Sequence, residues 1–132
     1  MDRDWEKLLA AARSVLAPRQ ISSCMEAGGV GAAVLSSEGN IYTGVCVDTC
    51  CSLGICAERS ALFSMITHGE NAVRRVVAVM RDGTPGPPCG ACREFIVQLM
   101  AQKRDCVEFL VSLDPLRIMT LGELTPVWWI GH

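Results

Sequence analysis

Apolar residues recur at every third or fourth position in the first segment of the chain, residues 5–16. This spacing predicts an amphipathic helix, and Pro18 ends it because proline disfavours helical backbone in the residue before it. Residues 56–67 and 89–101 show the same period and predict two further helices. Gly69 follows the first of these two as a stop signal.

Short apolar runs of strand length lie between and after these helices. The predicted strands, in chain order, are residues 30–35, 41–47, 73–80, 107–113 and 117–119. The first two flank a polar turn and predict a hairpin. The next two are nearly continuous apolar runs, which are typical of strands buried on both faces. Residues 82–88, rich in glycine and proline, predict an irregular connection, and residues 121–124 a final turn of helix.

This order of elements predicts the fold class. A helix, a hairpin and then alternating helices and strands indicate an α/β domain in which helices pack on a mixed sheet. The two helix-strand alternations favour parallel pairing in the second half of the sheet. With 132 residues and no repeat or linker in the pattern, we expect one domain that spans residues 1–132.

Composition and charge exclude several classes of function. The chain is 50% hydrophobic and 20% charged, as in folded globular proteins. A formal net charge of −2 argues against a surface built for a phosphate backbone, so we expect no nucleic-acid partner. The sequence shows neither the apolar core of a signal peptide nor a run of membrane-span length. We therefore expect a cytoplasmic protein without a membrane partner.

Eight cysteines in such a chain need an explanation. A disulfide framework belongs mainly to smaller secreted domains, so metal ligation with additional free thiols is the better interpretation. Three cysteines fall in a recognisable ligand pattern, and the other five are interpreted as small buried hydrophobic residues. These five are Cys24, Cys46, Cys50, Cys51 and Cys106.

The ligand pattern joins Cys56, followed by an alanine and Glu58, to Cys89 and Cys92. Three thiolates can hold one zinc ion and leave its fourth position open, which is the arrangement of a catalytic rather than a structural site. Both halves of the pattern fall at predicted helix N-termini, where unpaired N–H groups and the helix dipole favour thiolate. Cys89 and Cys92 lie one helical turn apart, so their sulfurs share one side of the helix.

Two charged residues beside Cys56 have candidate roles. Glu58 could take a proton from a water molecule at the site and deliver it to a substrate; the alternative is that it only complements the helix dipole. Arg59 could offset the excess negative charge of three thiolates, or it could be a solvated surface arginine. A closed structural site with Cys50 or Cys51 as fourth ligand is the alternative for the metal.

At these residues the chain resembles the cytidine deaminase superfamily, in its free-nucleoside branch with three cysteine ligands. The strongest parts are residues 54–63 and 84–93, and residues 30–33 and 43–44 add to them. The resemblance implies a three-layer fold with a five-stranded mixed sheet flanked by helices. It also implies a zinc-dependent hydrolase of pyrimidine salvage that replaces a ring amine by oxygen and releases ammonia. The partner is then a small cytosine nucleoside or analogue, and the assembly a homotetramer.

The resemblance also assigns roles residue by residue. The zinc ligands carry over to Cys56, Cys89 and Cys92, and the proton shuttle to Glu58. The backbone of Ala57 would meet the pyrimidine carbonyl. A non-catalytic zinc-binding protein with this fold, and a deaminase of nucleic-acid bases, remain as alternatives; the charge balance disfavours the second.

Three positions depart from the family pattern. The aromatic residue that usually packs against the base is Gly28 here, and the pair that holds the sugar hydroxyls, usually Asn-x-Glu, is Cys46 and Asp48. Asp48 can still accept a hydroxyl hydrogen bond, whereas a thiol is a poor substitute for an amide. We therefore expect these two residues at the substrate, which is cytidine, deoxycytidine or a close analogue with an altered sugar.

A second, local resemblance concerns the deaminases that act on the bulkier nucleoside antibiotic blasticidin S. Residues 35–45 and the tail at 123–132 are similar to the corresponding stretches of those enzymes. The tail contains Trp128 and Trp129, which could either anchor a packed terminus or line a pocket, including that of a neighbouring subunit.

Overall fold

The computed structural model of the protein describes residues 1–130. The helices are α1 (Arg3–Val15), α2 (Ala57–Thr67), α3 (Gly90–Leu99) and the short α4 (Leu121–Leu124), with a 3-10 turn at Arg104–Cys106. The strands are β1 (Arg19–Ser22), β2 (Met25–Ser36), β3 (Ile41–Thr49), β4 (Val73–Val79), β5 (Pro85–Gly86), β6 (Glu108–Leu113) and β7 (Leu116–Thr120). Every element predicted from the pattern is therefore present.

The sheet is larger than expected, with seven strands within residues 1–130 rather than five. Five of them, in the order β3-β2-β4-β6-β7, are those that the pattern predicts. The additional strands are β1, which pairs with the first part of β2, and the two-residue β5, which pairs with the end of β4. All four side chains of β1 are exposed, so no apolar pattern marks it.

The sheet is mixed, as expected. Strands β4 and β6 are parallel because α3 carries the chain back between them, and the other pairs are antiparallel. Alternate residues of the central strands point to opposite faces. One face buries Val34, Val76 and Phe109 against α2, α3 and α4; the other buries Ala33, Val77 and Leu110 against α1. Helices cover both faces, which confirms the three-layer arrangement.

Strand β2 begins at Met25, five residues before the predicted start, because the strand continues through Gly28 and Gly29. Its pairing with β3 shifts between Ala27 and Gly31, so these residues form a bulge. Gly28 lies in this bulge with a φ of +82°, a backbone conformation that glycine adopts without strain. The bulge divides β2 into a first segment beside β1 and a second segment in the core.

No helix within residues 1–130 combines the length and the apolar character that a membrane span requires.

Candidate active site

The three cysteines of the ligand pattern meet at one point between two helices. Cys56 is the N-cap of α2 and Cys89 the N-cap of α3, so each helix begins one residue later than predicted; Cys92 lies in the first turn of α3. All three sulfurs lie within 4.8 Å of one another, and the Sγ atoms of Cys56 and Cys89 are 3.4 Å apart. Sulfurs at a tetrahedral zinc with Zn–S bonds near 2.3 Å are about 3.8 Å apart, so the cluster fits this ion.

The alternative of a closed four-cysteine site does not fit this geometry. Within the described part of the chain, no fourth cysteine joins the cluster. Cys50 and Cys51 are exposed in the loop after β3. A donor set of three protein thiolates leaves one position for water or substrate, which is the feature of catalytic zinc sites.

The protein environment shifts the pKa values of the three thiols in different directions. Burial raises the pKa of Cys56, and burial together with the Glu58 charge raises that of Cys92. Burial also acts on Cys89, but hydrogen bonds from the backbone N–H groups at the start of α3 and from the other thiols outweigh it and lower its pKa. A bound dication stabilises all three as thiolates, because it compensates their charge directly.

Arg59 contributes a second positive charge at the cluster. Its Nη2 donates to the Sγ of Cys56 at 3.3 Å, and this contact raises the pKa of the guanidinium. Its Nε is buried and has no hydrogen-bond partner within residues 1–130. The guanidinium therefore faces the sulfurs rather than bulk water, which favours the charge-compensating role over that of a solvated surface arginine.

Glu58 is buried in the first turn of α2, with 6% of its surface exposed. Burial is the main cause of a raised pKa for this carboxyl group, partly opposed by its own backbone N–H and by the charge of Arg59. A glutamate that only complements a helix dipole is ordinarily solvated. A buried carboxyl with a raised pKa in a cleft is instead suited to accept and return protons.

A cavity of about 630 Å³ opens onto this cluster. Its volume lies within the range of small-molecule binding sites. The expected site residues that line it are Cys56, Ala57, Glu58, Arg59, Cys89, Cys46 and Asp48. Cys92 is fully buried behind the wall. The fold thus brings the metal cluster, the buried carboxyl and the two expected substrate residues of β3 to one cavity.

The cavity is also lined by residues that the sequence did not mark as site residues. These are Val30, Val47, Thr49, Ser52, Gly54, Ile55, Met80 and Pro87. Most belong to the loop between β3 and α2 or directly follow a strand. Proximity to Asp48 in sequence is the one signal that could have found Thr49 and Ser52. Met80 lines the cavity because strand β4 lies beside β2. The sequence does not specify this strand order.

Cys46 and Asp48, the two residues expected at the substrate, differ in whether their side chains are free to bind it. The Sγ of Cys46 accepts a hydrogen bond from the backbone N–H of Val30 at 3.2 Å, so this thiol joins β3 to the bulge of β2. The side chain of Asp48 is exposed at the cavity wall. Asp48 is therefore the stronger hydrogen-bond acceptor for a substrate hydroxyl.

The five remaining cysteines are not the buried hydrophobic residues that we expected. Cys24, Cys50, Cys51 and Cys106 are exposed, and Cys46 is half-buried. The exposed four lie in turns or short connections, where the chain has no layer to cover it. Residue type alone could not reveal this, because the burial preference of cysteine is an average over positions.

The paired tryptophans bind to α3 rather than to the cavity of their own chain. The Nε1 atoms of Trp128 and Trp129 both donate to the carboxylate of Glu94. Trp128 packs against the core, whereas Trp129 is 69% exposed. Neither residue lines the main cavity. Contact with a neighbouring subunit stays a prediction, and the last two residues of the predicted tail lie outside the described residues.

The family model for the cytidine and deoxycytidylate deaminase zinc-binding region matches residues 4–108. The chain belongs to this deaminase family. A cytidine deaminase of Halalkalibacterium halodurans is 35% identical over 100 residues, which cover 74% of each chain. A cytidine deaminase of Sporosarcina psychrophila is 34% identical over 96 residues, covering 72% of this chain and 69% of that protein.

Solved deaminase structures share the whole fold. The crystal structure of cytidine deaminase from Mycobacterium tuberculosis matches with a TM-score of 0.78 and 26% identity, covering 97% of this chain and 98% of that chain. The enzyme from Burkholderia pseudomallei matches with a TM-score of 0.75 and 28% identity, over 98% of this chain and 100% of that chain. The expected deaminase fold, the enzyme class and the zinc cofactor are thereby confirmed.

Gly28 departs from the deaminase pattern for a physical reason. A Cβ atom at this position would lie 2.1 Å from the carbonyl oxygen of Ala17 and 2.9 Å from Nη1 of Arg19. The backbone of Ala17 is fixed there, because its N–H donates to the carbonyl of Gly28 at 3.0 Å. The bulge of β2 thus excludes the aromatic side chain that the deaminase pattern places here.

We expect Gly28→Ala to lower the free energy of unfolding by at least about 3 kcal/mol, because left-handed strain adds to a backbone collision. Gly39→Ala is the matched control, since Gly39 has a φ of +90° and no atom within 4 Å of an added Cβ. That variant should lose only about 1 kcal/mol from strain. Urea unfolding of both variants measures the difference. Equal losses would show that Ala17 moves aside and that the bulge tolerates a side chain.

Proposed function

We propose that this protein removes the ring amine of a free cytosine nucleoside by hydrolysis, giving the uracil nucleoside and ammonia. The observation that carries the proposal is the burial of Glu58 beside three clustered thiols, in a cavity that Asp48 also lines. Relatives with about 35% identity are named cytidine deaminases, which supports the same substrate class.

In this proposal Cys56, Cys89 and Cys92 hold the zinc ion. When bound, zinc acts as a Lewis acid that makes a water molecule a better nucleophile at neutral pH. Arg59 offsets part of the negative charge of the three thiolates through its contact with Cys56.

Glu58 moves the protons. As a carboxylate it accepts a proton from the attacking water, and as a carboxylic acid it delivers that proton to a ring nitrogen and then to the departing amine. Its burial supports this role because the raised pKa brings the two protonation states closer in free energy. The backbone of Ala57, fully buried at the start of α2, faces the pyrimidine carbonyl and orients the ring.

Asp48 binds the sugar of the nucleoside. Its carboxylate accepts a hydrogen bond from a sugar hydroxyl, and Cys46 lines the same wall without a free amide to offer. Beyond Asp48 lies a second cavity of about 180 Å³ that also includes Arg19 and Arg81. This extra space favours a second candidate, a cytosine nucleoside with a bulkier sugar substituent, of which the blasticidin S type is one example.

We propose that the enzyme works as a homotetramer in the cytoplasm, in pyrimidine salvage. Apolar side chains on α2 support an assembly of copies. Phe63 and Ile66 are exposed, and the ring of Phe63 meets that of Phe95 on α3 edge to face at 5.4 Å. An apolar surface that spans two helices is typical of contacts between subunits.

Release of ammonia tests the substrate. We expect turnover of cytidine or deoxycytidine by the zinc-loaded protein, and none of a cytosine-containing oligonucleotide. Asp48→Ala should raise KM for the nucleoside about 10- to 100-fold, since a hydrogen bond to a charged group contributes about 1.5–3 kcal/mol.

Two controls accompany this test. Free cytosine lacks the sugar, so its KM should not change in Asp48→Ala. Asp4→Ala, in the exposed first turn of α1, should leave both substrates unaffected. Equal losses for the base and the nucleoside would contradict the assignment of Asp48, and release of ammonia from blasticidin S but not from cytidine would favour the second candidate.

A further inference from the structure

The proposed reaction does not use three exposed thiols that lie in two turns close to residues lining the main cavity. Cys24 is in the turn between β1 and β2, and Cys50 and Cys51 directly follow β3. The backbone N–H of Cys50 donates to the carbonyl oxygen of Cys24 at 3.1 Å. Cys50 stands between Thr49 and Ser52 in the chain, and both of these line the cavity.

The pairing of the strands places two of these thiols opposite each other. Met25 of β2 is the pairing partner of Thr49 of β3. Cys24 and Cys50 therefore occupy the next opposed positions, and the hydrogen bond between their backbones continues the ladder. Opposed residues that a backbone hydrogen bond joins in this way have Cα atoms about 5.5 Å apart. Disulfides need Cα atoms about 4.4–6.8 Å apart, so the backbone already has a suitable separation.

We propose that Cys24 and Cys50 are a modification site for small disulfides of the glutathione type, which convert the pair into a reversible disulfide and thereby change substrate binding. One cysteine thiolate attacks a sulfur of the small disulfide, breaks its S–S bond and releases one small thiol. The other cysteine then displaces the second small thiol and closes the protein disulfide. The two protein thiols are oxidised, the small disulfide is reduced to two thiols, and these take up the two protons.

The loop that carries Cys50 connects this chemistry to the substrate. Asp48, the proposed acceptor for the sugar, lies two residues before Cys50. The far end of the loop is fixed, because Val47 and Ile55 exchange two backbone hydrogen bonds of 2.9 Å directly before the ligand Cys56. A disulfide at Cys50 therefore constrains the start of this loop, where Thr49 and Ser52 line the cavity, while the bridge holds the end next to the metal ligands. We expect a change in KM rather than in kcat.

Cys51 is a second thiol that could compete with Cys50 for the disulfide, but its contacts hold it within its own turn. Its Sγ lies 3.3 Å from the Thr49 hydroxyl, which also accepts from the backbone N–H of Leu53, so Cys51 is held within its own turn. The hydrogen bond with Thr49 lowers the pKa of Cys51. The opposed backbone, and not the ionisation of Cys51, assigns the disulfide to Cys50.

The experiment equilibrates the zinc-loaded protein with oxidised glutathione and maps its disulfides by mass spectrometry. Wild type, Cys51→Ser and the distant control Cys106→Ser should each form the bond between Cys24 and Cys50. Cys24→Ser and Cys50→Ser should form no internal disulfide. In wild type, KM for cytidine should change by about threefold or more and kcat by less than about twofold, as expected when the wall of the cavity changes but the proposed catalytic groups do not. Reduction with dithiothreitol should restore the original KM.

Each of four results would overturn the proposal: no internal disulfide in wild type, a disulfide that includes Cys51, the same change of KM in Cys24→Ser, or loss of zinc on oxidation. Zinc content is measured in parallel, and its loss on oxidation would place the modification at the ligands instead. The kinetic part rests on the proposed function, whereas the mapping does not. If no nucleoside is deaminated, the proposed function fails while the mapping still decides the thiol site.

Discussion

Glu58→Gln should lower kcat for cytidine about 10²- to 10⁴-fold, the usual contribution of general acid–base catalysis. The amide has nearly the shape of the carboxylate but can neither accept the proton of the attacking water nor return it to the leaving amine. Zinc should remain bound at the wild-type level, because the proposed ligands are the three cysteines. Steady-state ammonia release and metal analysis of the same preparation measure both quantities.

The chain provides a matched control on the other helix. Glu94 follows Cys92 by two residues, as Glu58 follows Cys56, but it faces outward and binds the two tryptophans. Glu94→Gln should keep kcat close to that of the unaltered enzyme. Survival of activity within about tenfold in Glu58→Gln would show that another group transfers the proton. It would also leave the non-catalytic zinc-binding protein as an open alternative.

Cys89→Ser should release zinc and destabilise the fold. Cys89 begins α3 while Cys56 begins α2, so one ion joins two helices that otherwise meet through apolar packing. An ion at about a hundred times its Kd adds about 3 kcal/mol to the free energy of unfolding. Its loss should lower Tm by about 10 °C in a domain of this size. Metal analysis and thermal unfolding by circular dichroism check the two effects.

Cys106→Ser is the matched substitution outside the cluster, in the exposed 3-10 turn at Arg104–Cys106. It should retain zinc and unfold at the wild-type temperature. A chelator should bring the wild type down to the Tm of Cys89→Ser without lowering that of the variant further. If Cys89→Ser is stable and fully loaded with zinc, the ion does not join the helices in the way that the sulfur cluster indicates.

The sequence predicted the metal cluster well because the signal is local. Cys89 and Cys92 lie within one helical turn, and each half of the pattern starts a helix, so short-range geometry already orients the sulfurs. Only the meeting of the two helices needed the tertiary structure. The central strands could be predicted equally well, since Val76 and its neighbours are apolar on both faces and lie between two layers of helices.

The substrate wall could not be predicted in the same way. Strand β1 has no buried side chain, so no periodic pattern of apolar residues predicts it. The conformation of Gly28 depends on Ala17, which is distant in sequence and approaches only through β1 and its pairing. Cys50 is exposed because no further layer of the fold covers the turn after β3. Each of these features follows from contacts between separate elements rather than from local preference.

The bulge in β2 has a consequence for how this enzyme can change over evolutionary time. From Gly31 onward the strand pairs with β4 in the core, whereas its first segment pairs only with β1 and β3. Substitution of the exposed Glu26 in the first segment would therefore alter the second cavity, which this residue lines, without disturbing the core layer. A strand interrupted in this way lets one scaffold acquire new substrates by drift at its edge, while the metal centre and its proton chemistry are inherited unchanged.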